Sequence, residues 1–339
     1  MKPVSDPSKV LSPVAATGLK AVESRAGRRA GGIGIWPLFI VTALVFAFLA
    51  LTKPNFLTYT NIYGLLFEDS ISFLVIFGFT YVMVLREIDL SVGSVYAFSG
   101  VLTGYLLLFG LPVWGAIAIA LLGAATIGLI NGWLVVRLRL NSLMLTIGSM
   151  LLVRGLVGVM TTSLRGNIFP RDFRMLSRVR YFDVNTTVLA MVVLILLALV
   201  FQRRSVLFRQ MCYIGENIQS AVIYGVRAGP ITIGAFVVSA VLAGIGGIYT
   251  ASRITHGDVN MGLGLEFTMV TAAVLGGASL YGGRGNVVGS ALGLFLLSMI
   301  LNGMLMYDIE PVFQQFVIGF LLILTVGLDT LMSRRNRLR

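Results

Sequence analysis

Apolar runs long enough to cross a bilayer, such as Val113 to Val136 and Ile231 to Thr250, recur along this chain. A helix needs roughly 20 such residues to span the hydrocarbon. No water is present there to satisfy backbone N–H and C=O groups, so each run has to be helix rather than open sheet. Composition agrees. Of 339 residues, 57% are hydrophobic and only 12% are charged, against about 25% charged in soluble domains. The expected fold is all-α: a polytopic membrane protein of about ten transmembrane helices.

The runs place spans at about Ile33–Leu51, Ser70–Leu85, a third ending near Phe109, Val113–Val136 and Ser142–Met160. Five more fall at about Thr186–Phe201, Ile231–Thr250, Phe267–Tyr281, Val287–Met306 and Phe313–Met332. Thr58 to Asp69 reads as an amphipathic lead-in to the second span. Residues 1–32 are a polar, basic tail with no apolar core before a cleavage site, so a disordered cytoplasmic tail is expected rather than a secretory signal. The membrane-spanning body then covers 33–332, and 333–339 form a second basic tail. Basic residues at both ends place both termini in the cytoplasm, by the positive-inside rule. Leu164 to Asp183 breaks that rule, because the topology puts Arg165, Arg171, Arg174, Arg178 and Arg180 outside.

The net charge of +12 sits in tails and between apolar runs. It therefore reads as topology and contact with anionic lipid, not as a nucleic-acid surface. The single cysteine, Cys212, excludes an internal disulfide, and the single histidine, His256, excludes a histidine metal cluster. No lysine follows Lys53, so a phosphate loop ending in Gly-Lys-Ser/Thr does not occur. The chain is not expected to hydrolyse ATP or to carry a catalytic group.

Between the sixth and seventh spans lies a polar interval, residues 202–229, opened by Arg203, Arg204 and Arg209. Asn217 is placed to cap a short helix and Gly225 to stop it. Ile218, Ala221 and Val222, at i, i+3 and i+4, would share one face. Such a helix suits either a soluble partner or the lipid headgroup layer.

Asp89, inside the most polar cluster of the first half, reads as a pathway group or, with Ser91, as a helix cap. A charge near mid-bilayer costs about 2.5–3.5 kcal/mol, so such a carboxylate needs a partner or water. Glu266 opens a helix after Gly262-Leu-Gly264, where it favours the dipole; pathway lining is the second reading. Arg154 sits within the fifth span without an evident partner. Gly128 and Gly132, and Gly285, Gly289 and Gly293, recur every four residues and would make flat ridges for close helix packing.

Several motifs stand in one order: Ile88-Asp-Leu-Ser-Val-Gly-Ser94, Asn131-Gly132, Thr146-Ile-Gly-Ser149, Ile214-Gly-Glu-Asn217 with Ala221 and Gly225, and Gly276-Gly277 before Gly282-Gly-Arg-Gly285. Together they resemble the membrane permease of bacterial ABC importers of the ribose type, over roughly Pro54 to Met332. Two positions depart from that pattern. Arg86 and Glu87 replace two glycines, and Glu266-Phe267-Thr268 replaces Glu-Leu-Asp.

The resemblance implies a passive inner-membrane subunit with no cofactor of its own. It implies an ABC ATPase that binds the ATP, a periplasmic solute-binding protein and a second permease copy as partners. Gly215, Glu216, Asn217, Ile218, Ala221, Val222 and Gly225 would then be the ATPase-coupling residues, and Asp89, Ser91, Asn131 and Glu266 the pathway residues. The implied solute is a monosaccharide, with autoinducer-2, a polyol, a nucleoside or a branched-chain amino acid as alternatives. An ion-coupled secondary transporter is the competing class. It would use intramembrane carboxylates and inverted repeats, and the repeat here is poor.

Overall fold

The computed structural model describes residues 35–164, 168–181 and 184–337. The tail expected at 1–32 lies outside them. Helices α1 (Ile35–Thr52), α2 (Tyr59–Val84), α3 (Val92–Leu108), α4 (Val113–Leu138) and α5 (Ser142–Leu164) come first. A small cap comes next, made of α6 (Arg171–Met175), a 3₁₀ turn and strands β1 (Arg180–Tyr181) and β2 (Val184–Asn185). Beyond it lie α7 (Thr186–Arg204), α8 (Val206–Glu216), α9 (Ile218–Ile223), α10 (Ala228–Ile254), α11 (Leu265–Leu275), α12 (Val287–Met306) and α13 (Val312–Arg337).

Among the described residues, 7 helices are long and apolar enough to cross a membrane: α2, α4, α5, α7, α10, α12 and α13. Three shorter apolar helices, α1, α3 and α11, accompany them. The protein is therefore a nearly all-helical, polytopic membrane protein.

Helix α10 is the centre of the bundle, packed by α2, α3 and α4. Small residues allow this. A Cβ on Gly128 would come within 2.7 Å of both the Ala240 Cβ and the Phe236 carbonyl. One on Gly132 would lie 2.9 Å from the Ile233 Cα, and one on Gly78 would lie 2.6 Å from the Ser239 Cα. The helix axes approach because nothing stands between the backbones. On the other side α12 packs on α11 and α2. Gly289 lies against the Gly276 carbonyl, and Gly293 against the carbonyl of Ala272. Gly285 precedes α12, whose cap is Asn286, so it does not belong to that helical ridge. It packs instead on the Val84 side chain.

Polar rungs join α2 to α12. Ser298 donates to Asp69, Asn302 and Asn61 exchange amide hydrogen bonds of 2.9 and 3.3 Å, and Thr80 donates to Ser290 at 3.0 Å. These rungs correct one expectation. The lead-in expected at Thr58–Asp69 and the second span expected at Ser70–Leu85 are one helix, because α2 runs unbroken through Glu68 and Asp69. Asp69 finds Ser298, and Glu68 finds Arg253 at 3.0 Å.

The eighth expected span is shorter than its apolar run. Helix α11 ends at Leu275, where Gly276 meets the backbone of Gly289 and Ser290 and Gly277 takes φ +89°. Among the described residues, the Arg-rich segment holds the only β-strands. Its hairpin pairs Arg180 with Asn185 and Tyr181 with Val184, while Phe169 and Phe173, ahead of it in the chain, are buried.

Candidate functional site

Two places concentrate the residues singled out by sequence. One is the interval between α7 and α10. Ser205 caps α8, its hydroxyl accepting from the Leu207 and Phe208 amides at 3.1 and 3.4 Å. Phe208 then sits edge-on to Tyr81 and Phe201, which fixes α8 to α2 and α7. Near its end, Gly215 is buried backbone to backbone against Val84 and Gly283, and the Gly283 amide donates to the Val84 carbonyl at 2.8 Å. Three segments therefore meet here: the end of α2, the end of α8 and the loop after α11. Gly283 needs its glycine, with φ +73° and Glu216 within 3.2 Å of a would-be Cβ.

Asn217 ends α8 and starts α9, its Oδ1 accepting from the Ser220 amide at 3.0 Å. Gly225 stops the chain with φ +82°. The face expected from Ile218, Ala221 and Val222 divides. Ala221 turns inward and is 3% exposed, whereas Ile218 and Val222 stay exposed. Ile223 and Tyr224 join them at 83% and 86% exposure. Sequence reasoning passed over these last two. Their signal was a pair of large apolar side chains directly before the stop glycine of a polar loop. Glu216 and Asn217 lie on the exposed rim, and Gly215 is covered by the chain's own backbone.

Cys212, on the inner side of α8, has its thiol pushed up to about 11 by burial, with Glu216 adding to the effect. A raised thiol pKa means less thiolate at any pH below it. Alkylation at pH 8 should therefore be about a hundredfold slower than for an exposed thiol, and should rise steeply with pH or on unfolding. Mass-spectrometric labelling of the folded protein in detergent checks this.

The second place is the start of α3. The chain between α2 and α3 is held by α5: the Ile88 amide donates to Ser142 at 3.2 Å and the Leu90 amide to Thr146 at 3.1 Å. Asp89 is fully buried. Its Oδ1 accepts from the Ser91 amide at 3.0 Å and the Ser91 hydroxyl at 2.5 Å, and Asn131 donates to that hydroxyl at 3.1 Å. The expected side-chain cap is absent, because Ser91 stands at the cap position without bonding the first turn of α3. Asp89 and Ser91 form a local turn tied to α4 instead. The Asp89 Oδ2 is buried with no hydrogen-bond partner among the described residues.

Gly93, two residues on, meets the far segment 255–264. Its surface lies against Gly262, 2.6 Å from the carbonyl to a would-be Cβ, and against the Glu266 carboxylate. Glu266, in the first turn of α11, is 3% exposed, and its Oε2 also lacks a hydrogen bond among the described residues. Asp89, Ser91, Asn131 and Glu266 thus gather at one end of α3. His256 and Asp258 stay in the loop, bonded locally to Ile254 and Asn260. No metal-binding cluster of His, Cys, Asp and Glu occurs among the described residues.

A family model for "Branched-chain amino acid transport system / permease component" matches residues 54–326. The chain is 32% identical over 328 residues to the L-arabinose ABC transporter permease protein AraH of Azospirillum brasilense, covering 93% of this chain and 94% of that one. It is 31% identical to the autoinducer 2 import system permease protein LsrC of Photorhabdus luminescens, over 85% and 89% of the two chains. It is 29% identical to the D-allose transport system permease protein AlsC of Escherichia coli K12, over 87% and 91%. No solved structure matches.

Proposed function

The chain belongs to the permease-component family of such transport systems, and on that premise we propose that it carries a monosaccharide across the bacterial inner membrane. A separate ABC ATPase supplies the energy. The relatives named for L-arabinose and D-allose favour a sugar over the branched-chain amino acid of the family description. We take the seven long and three short apolar helices as ten crossings, with both termini cytoplasmic. The binding protein then meets the side of the Arg-rich cap, and a second permease copy completes the pathway.

The observation that carries this reading is the tip of α9. An apolar set of Ile218, Val222, Ile223 and Tyr224 stands exposed at a short helix that the described residues leave uncovered. Large apolar side chains held in that way suit insertion into a groove of a soluble partner. When ATP closes the ATPase pair, α9 is drawn with it. The Gly215 contact passes that motion to the end of α2 and to the loop between α11 and α12. The chain leaving α2 leads into Asp89 and Ser91, and α11 carries Glu266, so the motion reaches the polar residues near Gly93 and the bundle switches between outward-open and inward-open states. The chain performs no covalent chemistry.

Proteoliposomes containing this chain, its ATPase and its binding protein test the solute. Labelled L-arabinose or D-allose should accumulate with ATP while labelled leucine does not. Accumulation of leucine with no sugar uptake would overturn the reading.

A further inference from the structure

We propose that Arg154 is a positioning residue of the transport pathway, seating segment 259–262 so that Glu266 faces Gly93. The proposal rests on Glu266 being a pathway residue. Arg154 lies on α5, a helix whose flanking Leu151 and Leu152 are exposed to the surroundings. Although the Glu266 carboxylate acts on it electrostatically, its guanidinium forms no ion pair in contact among the described residues. It donates instead to three backbone carbonyls: Nη1 to Val259 at 3.1 Å and Met261 at 2.7 Å, and Nη2 to Gly262 at 3.2 Å.

Those carbonyls belong to the irregular chain between α10 and α11, where only that of Gly262 has a backbone partner among the described residues, the Leu265 amide at 3.3 Å. Irregular backbone inside a membrane protein survives only where protein supplies the missing bonds. One planar fork reaches all three carbonyls and is the partner of the two that lack a backbone one, which a lysine ammonium, a compact point charge on a flexible stem, cannot reproduce in that geometry.

The clamped segment leads straight into a pathway residue, which gives the clamp a role beyond holding a loop. Gly262 and Gly264, at φ +64° and +79°, turn the chain directly into α11. Glu266 is in the first turn of α11 and presses on Gly93. The same α5 holds the Ile88–Leu90 segment through Ser142 and Thr146, three and two turns below Arg154. Helix α5 is thus a splint across both irregular segments that meet at Gly93. A shift of α5 would move Glu266 relative to Asp89 and Ser91.

The test is a double-mutant cycle on ATP-driven sugar uptake per inserted copy, in proteoliposomes with the ATPase and binding protein. Glu266→Gln and Arg154→Lys should each slow uptake about ten- to a hundredfold, the size of losing a hydrogen bond to a charged group. The double variant should be no slower than the worse single one, because both changes disable one arrangement. Penalties that multiply would show Arg154 acting only as a staple of the fold and would overturn the proposal. Wild-type uptake by Glu266→Gln would overturn the pathway reading beneath it as well. If Arg154→Lys fails to insert, Gly93→Ala takes its place in the cycle, because its methyl strikes the Gly262 carbonyl of the clamped segment as well as Glu266.

Discussion

Substitution of Ile223 by aspartate is expected to abolish ATP-driven uptake while leaving the isolated chain as stable as the wild type. Ile223 is 83% exposed and so contributes little packing among the described residues. A charge at that position meets water in the free protein and costs nothing there. In a desolvated groove it would be an unpaired charge, and central interface positions typically lose about 2 kcal/mol or more on substitution. That is a loss of about thirtyfold or more in affinity for the ATPase. Tyr224→Ala should weaken the complex in the same way through lost area. The checks are a thermal melt of the purified chain, expected unchanged, and co-purification with the ATPase, expected lost. Ala221 is a poor site for this experiment, although sequence makes it attractive. It is 3% exposed and faces the body of the protein, so a charged residue there would damage the chain itself.

Valine at Gly215 is expected to destabilise the chain and to stop uptake. A Cβ there would strike the Val84 carbonyl and come 2.5 Å from the Gly283 nitrogen. Both are backbone atoms, so no side-chain rotation relieves the contact. Overpacking in a filled site costs about 1–3 kcal/mol, and backbone on two sides puts this case at the upper end. Relief would have to separate α8 from the end of α2, which also breaks the hydrogen bond from Gly283 to Val84. A melt in detergent together with the uptake assay reads both effects. Gly225→Ala is the matched control. It has φ +82° but open space around it, so only the left-handed backbone cost of about 1 kcal/mol applies.

How much of this was legible in the sequence varied with how local each signal was. Helix α12 begins and ends where its apolar run does, because Asn286 caps it locally, accepting from the Val288 amide at 2.9 Å. The start and stop of α9 were legible for the same reason, in Asn217 and Gly225. Features set by distant partners were not legible. The polar lead-in ending at Asp69 looks separate from the span beginning at Ser70 until Arg253 and Ser298 arrive from 185 and 229 residues away to partner Glu68 and Asp69. Arg154 looks unpaired because backbone carbonyls leave no trace in residue identity. Ala221 and Val222 share a helical face by spacing, yet the packing of α9 buries one and exposes the other. The break at Gly276 depends on Gly289 and Ser290 lying against it.

The source of the energy for transport is the point on which a passive, ATPase-driven permease differs most sharply from an ion-coupled one. Sugar accumulation should be measured in proteoliposomes holding this chain alone under an imposed proton or sodium gradient. It should also be measured in vesicles that add the ATPase, the binding protein and ATP. The chain alone should take up no sugar against a gradient, and the complete set should accumulate it only while ATP is hydrolysed. Gradient-driven accumulation by the chain alone would contradict the ATPase-driven mechanism.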